Sequence, residues 1–183
     1  MSDMMQDIES VLFSAQELDA IVARLGAQIS RDYEGKNLLL VSILKGSIVF
    51  MSELMRRVTL PCEIDFMAVS SYGSSTESKG KVKILKDLDI NLEGFDLLIV
   101  EDILDSGVTL FNLMEILSVR NPKSIRICTL FDKPERRKAD VKADYSGAQV
   151  PDAFIVGYGL DYAEKYRNLP FVGILKPEVY EQK

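Results

Sequence analysis

The chain has 183 residues, 47% of them apolar, and a formal net charge of −6: enough for one domain with a substantial core rather than two, and too acidic for a broad nucleic-acid surface, although a local basic patch stays open. No apolar run approaches the roughly 20 residues of a membrane span, and the opening MSDMMQDIES lacks the basic start of a secretory signal. Histidine is absent, which excludes Ser-His and Cys-His nucleophiles and histidine metal sites and leaves acid–base work to Asp, Glu, Lys or Tyr.

In chain order, Ser14 and Glu17 have the spacing of a capping box. Leu18, Ile21, Val22, Leu25 and Ile29 follow it at helical spacing, so one helix face is buried. Asn37 to Leu44 (NLLLVSIL) is nearly continuous apolar chain, as a central parallel strand requires. Lys45-Gly46-Ser47 interrupts it, and a helix is predicted from Ile48 to Val58. Cys62 to Val69 reads as a second strand. Ser70 to Gly80 (SSYGSSTESKG) is polar and bounded by glycine, the composition of a mobile loop. Strands are predicted at Val82 to Leu88 and Asp96 to Val100, with a turn at Asn91 to Gly94. A helix follows at Val108 to Val119 and a strand at Ser124 to Phe131.

The last fifty residues differ in character. Glu135 to Ala143 is highly charged, and short strands at Ala153 to Val156 and Val172 to Leu175 flank a loop from Tyr158 to Asn168. Cys62 and Cys128 lie in strand-like segments and read as buried free thiols of a reducing cytosol. Alternating strands and helices predict an α/β domain over residues 1–183, with a central, mainly parallel, twisted sheet flanked by helices. Ligands of such sheets bind at the carboxyl ends of the strands, where strand order reverses. The loops leaving those ends are Lys45-Gly46, Glu101 to Thr109, and Asp132 onward.

One run is especially informative: LLIVEDILDSGVTL, Leu97 to Leu110. An apolar strand ends in Glu101 and Asp102, followed by Asp105, the small turn Ser106-Gly107, and Thr109 opening an apolar helix. Gly107 permits a tight turn, and the amides of the helix start suit a phosphate. Two adjacent acids at the end of an apolar strand are expensive to bury without hydroxyl or metal partners.

The run resembles the phosphoribosyl pyrophosphate (PRPP) signature of the type I phosphoribosyltransferases. Leu44 to Gly46, Ser70 to Gly73 (SSYG), Phe131 to Pro134 (FDKP) and Pro151 to Pro170 (PDAFIVGYGLDYAEKYRNLP) extend the resemblance to the bacterial hypoxanthine-guanine branch, from about Ser14 to Leu175. The resemblance implies a fold with a small hood built from the terminal segments. It implies transfer of the phosphoribosyl group from PRPP to hypoxanthine, and to guanine as a further base, with release of pyrophosphate.

Residue roles follow from the same resemblance. Asp105 corresponds to the general base at purine N7. Backbone amides from Asp105 through Val108 to Thr109, with the Ser106 and Thr109 hydroxyls and Gly107, correspond to the 5′-phosphate loop; Ser106 stands where the commonest pattern has Thr, which keeps the hydroxyl. Glu101 and Asp102 correspond to the ribose contacts, direct or through Mg²⁺, and Asp161 to the ligand of a second Mg²⁺. Lys45, Gly46 and Arg167 correspond to the pyrophosphate contacts, and many family members carry a non-proline cis peptide before the Lys45 position. Lys133 corresponds to the donor to purine O6. An ammonium only donates, so it favours a 6-oxo base over a 6-amino base. Phe154 corresponds to the stacking aromatic, and the backbone of Ile155 and Asp161 to contacts with the other ring edge. Ser71 and Tyr72 begin the lid, which excludes water from the oxocarbenium-like state. The implied partners are PRPP and a 6-oxopurine in a cytoplasmic homodimer or homotetramer, with no nucleic acid and no membrane. Two alternatives remain on the same fold: a xanthine-preferring enzyme, and a nucleotide-sensing regulator without catalysis.

Overall fold

The structure is a computed structural model that describes residues 2–71 and 82–181. A six-stranded sheet in the order β4-β3-β2-β5-β6-β7 forms its centre. The strands are β2 (Leu38–Leu44), β3 (Cys62–Ser71), β4 (Val82–Lys86), β5 (Asp96–Leu104), β6 (Ser124–Asp132) and β7 (Tyr145–Gln149). All neighbours are parallel except β3 and β4. Chain order reverses between β2 and β5, because β2 leads outward to β3 and β5 leads the other way to β6.

Strand alternation divides the core between the two sheet faces. Leu38 and Leu40 of β2 and Leu98 and Val100 of β5 pack under α2 (Ala15–Asp32) and α3 (Ile48–Arg57). Leu39, Val41 and Ile43, with Leu97 and Ile99, pack against Leu110, Leu113 and Leu117 of α4 (Val108–Ser118). Both faces are covered, which is why these strands read as nearly continuous apolar runs. The predicted capping box is present: Ser14 Oγ accepts from the Glu17 amide, and Glu17 accepts from the Ser14 amide. The apolar stripe is buried as the spacing predicts, with Ile21 only partly so.

A smaller antiparallel sheet, β1-β9-β8, forms the hood. It joins β1 (Ile8–Phe13), β8 (Ile155–Val156) and β9 (Val172–Leu175), after a short α1 (Ser2–Gln6) and before α5 (Pro177–Tyr180). Ile8, Val156, Tyr166, Leu169 and Leu175 give it a core of its own.

Several elements differ from the sequence expectation. β5 does not end at Val100 but runs through Glu101 and Asp102 to Leu104, paired with β6 as far as Leu104 with Asp132. Ser70 and Ser71 belong to β3 rather than to the loop, since they pair with Lys83 and Val82. The rest of the expected lid, from Tyr72 to Gly80, lies outside the described residues, as does the side chain of Ser71. β8 is shorter than expected, and β7 (YSGAQ) has no strand-like apolar signal. β7 is held instead by backbone pairing with β6, where a Cβ on Gly147 would lie 2.3 Å from the Leu130 carbonyl oxygen. No described helix is long and apolar enough to cross a membrane.

Candidate active site

The carboxyl ends of β2, β5 and β6 lie along one edge of the sheet, so the three loops singled out in the sequence come together there. The Leu44–Lys45 peptide is cis. Packing at Gly46 allows no side chain: a Cβ there would lie 1.9 Å from Asp102 Oδ2. On its other side is Gly159 (φ +101), whose own Cβ would lie 2.1 Å from the Gly46 carbonyl oxygen. Gly46 thus makes room for the Asp102 carboxyl of β5, and Gly159 lets the Tyr158-to-Asn168 loop approach the Gly46 backbone directly.

The β5–α4 turn is fixed from behind. Gly107 is left-handed (φ +77) and buried, and a Cβ on it would lie 2.5 Å from Val141 Cγ1 and 2.9 Å from Arg137 Cδ. The Arg137 guanidinium donates to the carbonyls of Asp105 (3.1 Å), Leu104 (3.3 Å) and Val141 (2.7 Å) and also pairs with Asp132. The Lys138 and Ala139 amides donate to the Ser106 carbonyl at 2.8 and 3.2 Å. With its carbonyls drawn backward, the turn presents the first amides of α4 and the Ser106 and Thr109 side chains to a cavity of about 130 Å³.

A second cavity, about 360 Å³, opens beside it, lined by Lys133, Phe154, Ile155, Leu160 and Asp161 among others. Asp105 and Ile103 line both cavities. The Lys133 ammonium is buried and donates to the Ala153 carbonyl at 2.7 Å. Desolvation lowers its pKa, while Asp105 and Asp152 oppose that shift. The carbonyl occupies one of three N–H donors, leaving two for a ligand. Phe154 is partly exposed, with Tyr180 stacked on it (centroids 5.0 Å apart, planes 24° apart) and the edge of Tyr162 against it at 5.4 Å. Asp105 Oδ1 is buried without a hydrogen-bond partner; Arg136 Nε lies 3.1 Å away as an ion pair, and Arg136 also pairs with Asp152 at 3.1 Å.

The remaining acids divide by face. As neighbours in a strand, Glu101 and Asp102 point to opposite sides of β5. Glu101 borders the phosphate-sized cavity with Ser106, Gly107 and Thr109, and its Oε2 is buried without a partner. Asp102 faces Gly46 and accepts from the Ile103 amide at 2.8 Å. Burial, helped by the charge of Asp102, raises the Glu101 pKa well above its usual value. Burial likewise lifts Asp102 from 3.8 to about 6, against the opposing pull of backbone hydrogen bonds and Arg167. Carboxylates desolvated in this way suit a cation or hydroxyl donors as partners. Among the described residues no three acidic, cysteine or histidine side chains form a ready cation cage. Mg²⁺ accepts such a setting, since it binds through one or two carboxylates, water and substrate phosphates.

Asp161 pairs with Arg167 at 2.9 Å and accepts from the Glu164 amide at 2.9 Å. Arg167 also donates to the Gly159 carbonyl at 2.8 Å, and its Nε is buried without a partner. Glu164 Oε2 lies 3.2 Å from Lys45 Nζ and 3.3 Å from Arg167 Nη2. These two cations hold the Glu164 carboxyl below its usual pKa.

The structure therefore gathers Lys45, Gly46, Glu101, Asp102, Asp105, Ser106, Gly107, Val108, Thr109, Lys133, Phe154, Ile155, Asp161 and Arg167 at one edge of the sheet. Sequence reasoning missed Arg136, Arg137, Asp152, Gly159, Leu160 and Glu164. Arg136 and Arg137 lie in the highly charged stretch from Glu135 to Ala143, which has no pattern that singles them out. Of these, Gly159 alone belongs to a residue type whose presence is itself a local signal, since glycine tolerates positive φ.

Comparison with known proteins agrees with this geometry. Residues 11–163 match the model of the phosphoribosyl transferase domain. The chain is 56% identical over 178 residues to a hypoxanthine-guanine phosphoribosyltransferase of Bacillus subtilis, covering 97% of this chain and 99% of that protein. It is 51% identical over 179 residues to the bifunctional protein TilS/HprT of Listeria monocytogenes, of which it spans only 28%. A crystal structure of a hypoxanthine phosphoribosyltransferase from Staphylococcus aureus superposes with a TM-score of 0.94 at 53% identity, covering 97% of this chain and 96% of that one. The chain belongs to the phosphoribosyltransferase family.

Proposed function

We propose that this chain is a purine-salvage enzyme that transfers the 5-phosphoribosyl group of PRPP to hypoxanthine, and to guanine as a second base, giving IMP or GMP and pyrophosphate. The observation that carries the reading is Asp105: one carboxylate borders both the phosphate-sized cavity and the base-sized cavity, with the buried Lys133 ammonium at the latter. A group in that position can accept a proton from a base held in one cavity while the sugar phosphate is held in the other.

The 5′-phosphate binds to the amides from Asp105 to Thr109 and to the Ser106 and Thr109 hydroxyls, with Gly107 and Val108 shaping the turn. Glu101 and Asp102 accept from the ribose hydroxyls. Lys133 donates to purine O6, Phe154 stacks on the ring, and the Ile155 and Asp161 backbone meets its far edge. As N9 bonds to C1′, the C1′–O bond breaks, pyrophosphate takes the electron pair, and Asp105 receives the N7 proton. Lys45, Gly46 and Arg167 hold the departing pyrophosphate. Glu101 and Asp102 would hold one Mg²⁺ at the ribose and Asp161 a second at the diphosphate, where the ions would supply charge neutralisation. Residues 1–183 act as one domain in a cytoplasmic homodimer or homotetramer, and the lid expected from the sequence, beginning at Tyr72 after β3, excludes water from the reaction.

The base contact is tested by Lys133→Ala. Turnover of hypoxanthine is expected to fall at least tenfold relative to a 6-amino purine, on the order of one charge-assisted hydrogen bond. Unchanged hypoxanthine turnover, with 6-amino bases still rejected, in a folded variant contradicts the assignment.

A further inference from the structure

Glu164 has no part in the scheme above, yet it sits at its centre. Its Oε2 lies between the two cations assigned to the leaving group, 3.2 Å from Lys45 Nζ and 3.3 Å from Arg167 Nη2. The core makes no demand for it, since the side chain is 64% exposed. The backbone makes no demand either: Glu164 stands at φ +64, a left-handed conformation that glycine or asparagine adopts more easily. A glycine would complete this turn. A glutamate adds an anion, and the Glu164 amide, donating to Asp161 Oδ2 at 2.9 Å, anchors that anion to the same loop.

We propose that Glu164 is an internal substitute for pyrophosphate: with the site empty its carboxylate occupies Lys45 and Arg167, the diphosphate of PRPP displaces it, and it returns as pyrophosphate leaves. The inference rests on Lys45 and Arg167 being the pyrophosphate contacts. Both ion pairs are solvent-exposed on the Glu164 side, so each is weak and can be exchanged. The multiply charged diphosphate outcompetes one carboxylate, but binds less tightly than it would to free cations. Affinity given up at this point speeds product departure, which limits turnover in many enzymes.

The test is product inhibition by pyrophosphate, measured against PRPP with the full chain, for the wild type, Glu164→Gln, Glu164→Asp, Lys45→Ala and Arg167→Gln. Glu164→Gln is expected to lower both the pyrophosphate inhibition constant and the PRPP KM by about three- to tenfold, an advantage that shrinks as salt rises. Glu164→Asp keeps the charge but loses one methylene of reach, so it should fall between the two. An unchanged or raised inhibition constant in Glu164→Gln, alongside weakened inhibition in Lys45→Ala and Arg167→Gln, overturns the substitute while sparing the cation assignment. Unchanged inhibition in Lys45→Ala and Arg167→Gln removes the cation assignment and this inference with it.

Discussion

Arg137 and Glu164 are both charged side chains that tie down an edge of the same site, and they do it in opposite ways. Arg137 is mostly enclosed, its side chain 17% exposed, and gives its N–H groups to the Leu104, Asp105 and Val141 carbonyls. Glu164 stands in solvent and holds two cations by a single oxygen. Hydrogen bonds to carbonyls inside the fold are maintained whether or not a ligand is bound, whereas exposed ion pairs exchange readily. On the proposed assignments, the β5–α4 turn is built in advance for a group that stays through the reaction, and the Lys45–Arg167 side is closed loosely, for a group that must leave.

Asp105→Asn gives the largest effect. It retains the shape of the turn and removes the proton acceptor, so kcat should fall by about 10²–10⁴ with PRPP KM changed only a few-fold. Steady-state kinetics decides it: a KM increase that accounts for the whole loss moves Asp105 from proton transfer to the phosphate loop.

Arg137→Ala comes next. It removes the side-chain donor to the Leu104, Asp105 and Val141 carbonyls and the cation paired with Asp132, so thermal or denaturant unfolding should show a loss of about 3 kcal/mol or more. PRPP KM should rise at least tenfold, and Arg137→Lys should restore little of it, since an ammonium cannot reproduce the guanidinium fork. Normal PRPP affinity in a folded Arg137→Ala protein means that the turn does not need its rear support.

Asp102→Asn is expected to move stability the other way. The folded-state pKa of about 6 exceeds the usual 3.8, so the folded chain binds more protons than the unfolded chain between those values. Stability without ligand then falls as pH rises from about 4 to about 6 and stays reduced above that. The cost at neutral pH is about 3 kcal/mol at most, from 1.36 kcal/mol per pKa unit. The variant should be more stable than the wild type above pH 6 and poorer in turnover. Equal stability of the two proteins at pH 7.5 in urea unfolding contradicts the burial argument. Glu164→Gln is the smallest expected change, about three- to tenfold in pyrophosphate inhibition.

Legibility in the sequence followed distance along the chain. The strand, acids, glycine turn and helix of Leu97 to Leu110 lie in one local run, so their chemistry could be read directly. The alternation that separates Glu101 from Asp102 was hidden, because the acids looked like the end of β5 when that strand continues to Leu104. Arg137 reaches back 33 residues to Leu104, and Lys45 meets Glu164 across 119. No local periodicity encodes such contacts, and both new partners lie in or beside polar stretches that resemble ordinary surface. β7 was hidden for a related reason: its place depends on the exposed edge of β6 rather than on a pattern of its own.

The most direct test of the central claim is nucleotide formation from PRPP with hypoxanthine, guanine, xanthine and adenine offered separately, with and without Mg²⁺. Mg²⁺-dependent formation of IMP and GMP is expected, with adenine inert. A preference for xanthine would revise only the base specificity. Failure of a folded protein that still binds PRPP to convert any of the four bases would contradict the enzyme reading itself.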